Sequence, residues 1–515
     1  MKQYITLHSI AATLVIAAYL MYAISYVAMM QCEICGDAYY LSFDDPMVSM
    51  VYARNMVAGK GLVWQEGEYV EGYSNFLYTM YMSFLHLLPL DPMLLLNITG
   101  AILLGVVIVL VYYLTLKLTK SSTAALSAMF ITAFYFPLMK WSFIGTEVAP
   151  MALLLMLATH FIFRYGRASI PLYITLALIT LLRIDGIFYA VGLMLITACV
   201  SPGDWKRHVK LSGIVFIPFI LLTIWRMSYY GDVLPNTYYL KVLGVPFSWR
   251  IMRGVYFFWE NVVMHLTLPV FMLPFILLFT RFNKVQWGIL MSIICLGLAH
   301  SILVGGDTWE EWYMPNRFIT PVLPIFFALL SAALHTMFTG VTQSKLLATL
   351  GIATATLVIW VSIMGGYHSL WPEFLGMDLG FYREFHCSKI KASLFLNAAT
   401  YDNATIAVVP AGIPGYYLQR KMIDALGKTD THIAALQPHS ATWRDIIPGH
   451  NKYDWNYSLG KADVLVKEWG DVREWVNKSG EWGELENPWL SLFYNSDSPN
   501  LKDIFYAPSE ELLCS

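Results

Sequence analysis

The chain has 515 residues, of which 57% are hydrophobic, 15% aromatic and only 13% charged, and its mean hydropathy is +0.55. This excludes an ordinary soluble enzyme, because apolar segments of about twenty residues, the length that crosses roughly 30 Å of hydrocarbon, recur through the first 370 positions. A formal net charge of −2 excludes a nucleic-acid partner, which needs a basic face.

In chain order, the apolar segments predict spans at 5–30, 93–116, 121–138, 148–163, 170–182, 187–200, 211–229, 261–280, 285–304, 318–338 and 346–366. The first has a lysine before it and no small-residue cleavage site after it. It is also longer than a secretory h-region and reads as a retained anchor. Residues 76–89 are short and flanked by polar loop, the pattern of an interfacial helix. With the N-terminus inside, one set of connections carries Lys117, Lys120, Arg164, Arg167, Lys206, Arg207, Lys210, Arg281, Lys284 and Lys345, the basic signature of cytoplasmic loops. The opposite set carries Asp44, Asp45, Glu147, Asp185, Asp232, Asp307, Glu310 and Glu311. The expected fold is therefore a polytopic α-helical membrane protein with about 11 spans, N-in and C-out. Residues 1–369 form its membrane domain, with an exoplasmic first loop and interfacial helix at 31–92. Residues 370–515 form a C-terminal exoplasmic α/β-type soluble domain.

Within that last domain, 404–409 reads as a buried strand, 412–415 as a turn, and 420–428 as a helical turn or two ending near Gly427. Its tryptophans include Trp443, Trp455, Trp469, Trp475, Trp482 and Trp489; large aromatics more often fill a core than stack on sugar. Cys32 and Cys35 form a CxxC without a second CxxC or histidine nearby, so an incidental pair or a local disulfide is expected. Cys387 and Cys514 can pair if the tail is exported, while Cys199 and Cys295 read as inert core thiols.

Pores and pumps bury ionisable groups at mid-membrane. Here those groups gather on loops of one face, which points to chemistry at the membrane surface. Asp44 and Asp45 follow the first span, and Glu147 opens the fourth, where the helix dipole favours a carboxylate. Arg183 and Asp185 meet between spans five and six, where a structural ion pair also accounts for them. Arg226, Asp232, Asn236 and Lys241 share a tyrosine-rich stretch, and Asp307 and Arg317 share an acid–aromatic–arginine loop. Arginine forks match phosphate oxygens and indole faces stack on sugar rings. Neither a P-loop nor a dinucleotide, zincin, serine-hydrolase or kinase signature is present in a credible context. What remains is a reaction with a lipid-soluble donor, a carboxylate base and an exoplasmic site.

These motifs resemble the GT-C superfamily of membrane glycosyltransferases, and within it the AftB-like arabinofuranosyltransferase family. The first-loop pattern of that family is matched by Asp44, Asp45, Ser49, Tyr52, Ala53, Arg54 and Asn55, then by Gly59, Gly61, Leu62 and Val63. It continues through Gly67, Glu68, Val70, Glu71, Gly72, Tyr73, Ser74 and Asn75. Shorter likenesses follow in order at Gly145–Glu147, Arg183–Gly186, Gly231–Lys241, Gly305–Pro324, 411–417, 424–434 and 449–454. Pro46, Met47, Val51, Ile184 and Asp185 depart from the pattern.

The resemblance implies a GT-C fold in a bacterial inner (cytoplasmic) membrane, with the site and C-terminal domain facing the periplasm. It implies transfer of a sugar, D-arabinofuranose, from a polyprenyl-phosphate-linked donor to a hydroxyl of a cell-envelope glycan or glycoprotein. A loop-1 aspartate, Asp44 or Asp45, is the expected base, with Asp44 favoured. Donor phosphate and sugar contacts are expected from Arg54, Asn55, Glu71, Tyr73, Asn75, Glu147, Arg183, Asp185, Arg226, Asp232, Asn236, Lys241, Asp307 and Arg317. No cofactor is certain; a divalent cation (Mg, Mn or Ca) at Asp44 and Asp45 is an open alternative, since paired acids and phosphate are hard-cation ligands. Rival readings are transfer of mannose, glucose or an aminosugar, transport of a lipid-linked glycan, and a sugar-binding scaffold.

Overall fold

The computed structural model describes residues 2–312, 316–366, 370–377, 379–466, 472–487 and 490–509; Trp469, Trp489 and Cys514 lie outside the described residues. Contacts divide the chain into two compact units, neither a single stretch. One comprises Met1–Val27, Asn97–Leu222 and Phe247–Asp378, and the other Ala28–Leu96, Thr223–Pro246 and Leu379–Ser515. The C-terminal residues thus fold together with the first loop and with residues 223–246.

Among the described residues, seven helices are long and apolar enough to cross a bilayer: His8–Met29, Pro92–Thr119, Val148–Tyr165, Pro202–Tyr230, Lys284–Val304, Thr320–Val341 and Lys345–Gly365. The pair Ser122–Phe134 and Phe136–Phe143, bent by 52°, makes an eighth if it is one span. Tyr135 at the bend is extended and Pro137 follows in the first turn of the second helix, where a missing N–H and fixed φ favour a fresh start. The protein is a multi-pass membrane protein. Ile170–Leu182 and Gly186–Val200 have 13 and 15 residues, which at about 1.5 Å per residue fall short of the hydrocarbon thickness. Around the expected span at 261–280 the chain runs from a π-helical segment, Trp259–His265, into short helical pieces ending at Phe279.

In the first unit, helices meet at small residues. A Cβ on Gly100 would lie 1.8 Å from the Ser142 carbonyl oxygen, and one on Gly254 would lie 2.3 Å from that of Ile302. Several polar groups in the helices are paired, as an apolar surround favours: the Ser127 hydroxyl meets Thr356 at 2.6 Å and Ser331 at 3.1 Å. Lys140 Nζ donates to Glu373 Oε2 at 2.6 Å and Tyr26 OH to Glu373 Oε1 at 2.5 Å, so this buried charge pair carries its own hydrogen bonds. Cys199 and Cys295 are exposed on the packed helices, not in a core as expected.

The second unit begins with an antiparallel hairpin of β1 (Gln31–Ile34) and β2 (Asp37–Tyr40), turned at Cys35 and Gly36, both at positive φ. The helices Asp44–Val57 and Phe76–Leu85 follow, the latter where a short interfacial helix is expected. A five-stranded mixed sheet is built from β3 (Thr405–Val408), β4 (Lys421–Asp424), β5 (Val464–Val466), β6 (Trp482–Asn487) and β7 (Leu490–Asn495) in the order β4-β3-β5-β7-β6. β3 runs parallel to β4 and β5, and β7 antiparallel to β5 and β6. One face packs on Val48, Val51, Tyr52, Trp64 and Tyr73 of the first loop and on Phe395 and Leu396. The other packs on Trp455, Leu459, Val472 and Val476.

Three local expectations are corrected. Residues 421–424 form a strand, because parallel pairing with β3 buries Met422 and Ile423. Beyond it the Asp424 carboxylate accepts from the N–H groups of Leu426, Gly427 and Thr429, a local bonding pattern that competes with helix. Residues 413–417 form a short helix where a turn is expected. Cys32 pairs with Cys387 across 355 residues, and not in a local disulfide or with the tail cysteine.

Candidate active site

In the second unit, Asp44 and Asp45 occupy the first turn of the Asp44–Val57 helix, where the N–H dipoles favour negative charge. Asp44 is 7% exposed, and its Oδ1 accepts from Gly412 N–H at 3.1 Å and Ile413 N–H at 2.9 Å. The two segments touch so closely that a Cβ on Gly412 would lie 2.0 Å from the Asp44 carbonyl oxygen. Burial pushes the Asp44 carboxyl above its usual range, with the charge of Lys428 and the Ile413 N–H pulling part of the way back. The Asp45 side chain is 22% exposed and receives a hydrogen bond from Lys428 Nζ. Burial opposes the Lys428 charge, but Asp45 and Asp44 hold its ammonium above the ordinary lysine range. His450, pushed down to about 3 by burial and then by Lys428, stays neutral.

The loop that presents Lys428 is held from inside. Asn236 Nδ2 donates to the carbonyls of Gly427 at 2.9 Å, Lys428 at 3.0 Å and Asp430 at 3.3 Å. Its own N–H donates to the Glu71 carbonyl at 2.9 Å, and the Glu71 carboxylate pairs with buried Arg226. Burial raises Glu71 to about 7, against the pull of Arg226. Gly72 leaves room for Thr429, whose Cγ2 would be 2.5 Å from an added Cβ.

Several residues expected at a donor site are braces within this unit. Asn55 Nδ2 donates to the carbonyls of Val63 and Trp64 at 2.9 and 3.0 Å. Arg54 reaches the carbonyls of Tyr416 and Gly415 and lies 5.1 Å from the Tyr416 ring centroid. Asn75 Oδ1 accepts from Ser49 at 2.9 Å and Thr79 at 3.1 Å, and Tyr73 meets Tyr230 hydroxyl to hydroxyl at 3.2 Å. Asp232 is exposed, and Lys241 packs beside Gly449.

The first unit gathers Glu147, Arg183, Asp185, Asp307 and Arg317. Arg183 forks onto Asp185 with two 2.9 Å bonds and stands 3.5 Å from Glu147. Burial works against the Asp185 charge, yet Arg183 draws its carboxyl well below the usual range. Arg317 Nε lies 3.1 Å from Asp307 Oδ2, and its guanidinium stands 5.8 Å from the Trp141 ring centroid. Arg253 and Glu310 brace the loop: Arg253 donates to the Gly305 and Asp307 carbonyls, and Glu310 accepts from the Asp307 N–H at 2.9 Å. A pocket opens among Glu147, Val148, Met151, Arg183, Asp185, Tyr189, His300, Arg317, Phe318 and Pro321.

Sequence reasoning passes over Lys428, Asp424, His450 and His300. Lys428 and Asp424 sit in a short stretch read as helix, and His450 in a motif noted only as a string. His300 carried a signal, being a titratable side chain inside an apolar span. Among the described residues, no group of three or more His, Cys, Asp or Glu is placed to hold a metal ion.

Together these features define a mostly helical multi-pass membrane protein with a C-terminal sheet. Among solved structures, the chain is similar to ArnT from Cupriavidus metallidurans bound to undecaprenyl phosphate, with a TM-score of 0.53 at 12% identity over 97% of this chain and 99% of that one. The apo state of ArnT matches with a TM-score of 0.53 at 13% identity, over 94% and 97%. The fold is therefore ArnT-like. Residues 381–493 match the family described as Domain of unknown function (DUF8728), and no curated protein matches the sequence.

Proposed function

We propose that the protein is a membrane glycosyltransferase that moves a sugar from a polyprenyl-phosphate donor to an acceptor hydroxyl. The observation that carries this reading is the Asp44–Asp45–Lys428 cluster, on a fold like that of a protein crystallised with undecaprenyl phosphate. A sugar hydroxyl is a weak nucleophile near neutral pH, so a positioned carboxylate must take its proton as the oxygen attacks C1. Asp45 fits the base, being the more exposed of the pair, and Asp44 anchors the helix start to residues 412 and 413. This reverses the preference for Asp44 drawn from sequence. As the C1–O bond to phosphate breaks, the polyprenyl phosphate leaves with the electron pair. Protonation of Asp45 releases Lys428 from its partner, so that the ammonium can face the developing phosphate charge. Lys428 thus supplies the positive charge that a divalent cation would otherwise bring.

The first-loop motif supports D-arabinofuranose as the sugar, a cell-envelope glycan or glycoprotein as acceptor, and a periplasmic site. Transfer from polyprenyl-phosphoarabinose, with mannose and glucose donors in competition, tests both levels. Asp45→Asn is expected to lower turnover by about 10²–10⁴-fold, and Lys428→Met to lower it as well. Wild-type rates in Asp45→Asn would remove the base, and preference for a hexose donor would remove arabinose.

A further inference from the structure

We infer that the pocket of the first unit seats a neutral, hydroxyl-bearing ring, a glycosyl unit, and not a phosphate. Calling the ring glycosyl rests on the transferase reading above; its neutrality rests on the pocket itself.

The charges around the pocket do not invite an anion: the guanidiniums of Arg183 and Arg317 stand against three carboxylates, Glu147 and Asp185 in the wall and Asp307 on Arg317. Both forks of Arg183 are committed to Asp185 at 2.9 Å, and Arg317 is 3.1 Å from Asp307. An incoming phosphate would have to displace these carboxylates to gain the bidentate contacts that make arginine a phosphate ligand. A polyol needs no such exchange, since carboxylate oxygens accept from its hydroxyls. Phe318 supplies an apolar face, with the Arg183 and Arg317 guanidiniums each 5.5 Å from its ring centroid.

His300 points the same way. It lines the pocket and is 5% exposed. Its Nε2 lies 3.2 Å from Asp185 Oδ2, and both ring nitrogens are buried without a well-formed hydrogen bond among the described residues. A carboxylate beside Nε2 favours the tautomer with its proton there, and in that tautomer Nδ1 is an acceptor lone pair aimed at no protein donor. A sugar hydroxyl can donate to it; a fully ionised phosphate has no proton to give.

The test uses the purified full-length protein in lipid nanodiscs. The probes are methyl arabinofuranoside, methyl mannopyranoside, methyl glucopyranoside and dimethyl phosphate, an anion with no proton to give near neutral pH, followed by calorimetry and intrinsic tryptophan fluorescence. Saturable binding of at least one glycoside, unaffected by phosphate, is expected. His300→Asn places a polar group near Nδ1 and should bind within about twofold of wild type. His300→Gln places it near Nε2 and should bind about five- to tenfold more weakly. A purely structural role toward Asp185 predicts the reverse order, which would overturn the inference, as would phosphate competition or no glycoside binding. Should a His300 variant fail to fold, Met151→Trp fills the pocket from its apolar wall and must abolish binding. In the transfer assay, competition of the glycoside with the lipid donor marks the donor's ring, and competition with the acceptor marks the acceptor's. Binding is read without turnover, so a protein that binds glycoside but transfers nothing refutes the transferase and leaves the pocket standing.

Discussion

Replacing Asp44 by alanine and by asparagine should move stability in different directions. Alanine leaves the buried N–H groups of Gly412 and Ile413 without their acceptor. Each unsatisfied donor costs about 1–3 kcal/mol, and relief from burying a carboxylate offsets part of this, for a net loss of about 2–4 kcal/mol. Asparagine keeps an oxygen for both donors and removes the charge. The folded-state value of Asp44 is raised above its ordinary 3.8 by burial. Its favourable contribution is therefore complete below that ordinary value and lost as pH rises through the folded value. At pH 7, above the ordinary value, the raised folded-state value works against folding, and Asp44→Asn lifts that cost. Thermal unfolding in detergent, followed by tryptophan fluorescence at pH 7 and pH 5, should show Asp44→Ala melting about 2–4 °C below wild type. Asp44→Asn should melt at or above wild type at pH 7, with the gap narrowing toward pH 5. If the asparagine variant falls with the alanine variant, or the gap widens in acid, the account of this carboxylate is wrong.

Gly412→Ala forces a Cβ onto the Asp44 carbonyl oxygen, and overpacking against backbone should cost about 1–3 kcal/mol or more; a lower melting temperature and loss of transfer check it. Glu310 is pushed up to about 8 by burial and by Asp307, so its contribution fades as pH rises through 8. Glu310→Gln should flatten the melting profile between pH 6 and 9, and an unchanged slope would count against that burial. Cys32→Ser removes the link to Cys387 and should cost about 2–5 kcal/mol; added reductant should lower the melting temperature of wild type at least as far, and an unmoved wild type would count against the link.

Much of the frame is legible in the sequence, because long apolar runs and short interfacial segments are set by local composition. The strand at 405–408 and the paired aspartates are visible for the same reason. Lys428 is not, because β4 becomes a strand only by pairing with β3, and its four residues carry no period strong enough to declare it. Arg54 and Arg226 show the opposite failure. Their charges are plain in the sequence, but the Tyr416 carbonyl and the Glu71 carboxylate that consume them lie 362 and 155 residues away. A sequence displays which groups can bind phosphate, and only the fold displays which of them are already engaged. His300 acquires its partner in the same manner, from the corner at Asp185.

The distance between Asp44 and Ile413 along the chain, 369 residues, also sets a schedule. At about 5–20 residues per second of synthesis, roughly 20–70 s separate the emergence of the two. Throughout that interval the apolar face of the first loop, Val48, Val51, Tyr52 and Trp64, lacks the sheet that later covers it. Truncated chains that end before residue 405 should therefore be targets for chaperones and proteases, and the nascent protein depends on that protection until its last fifth arrives.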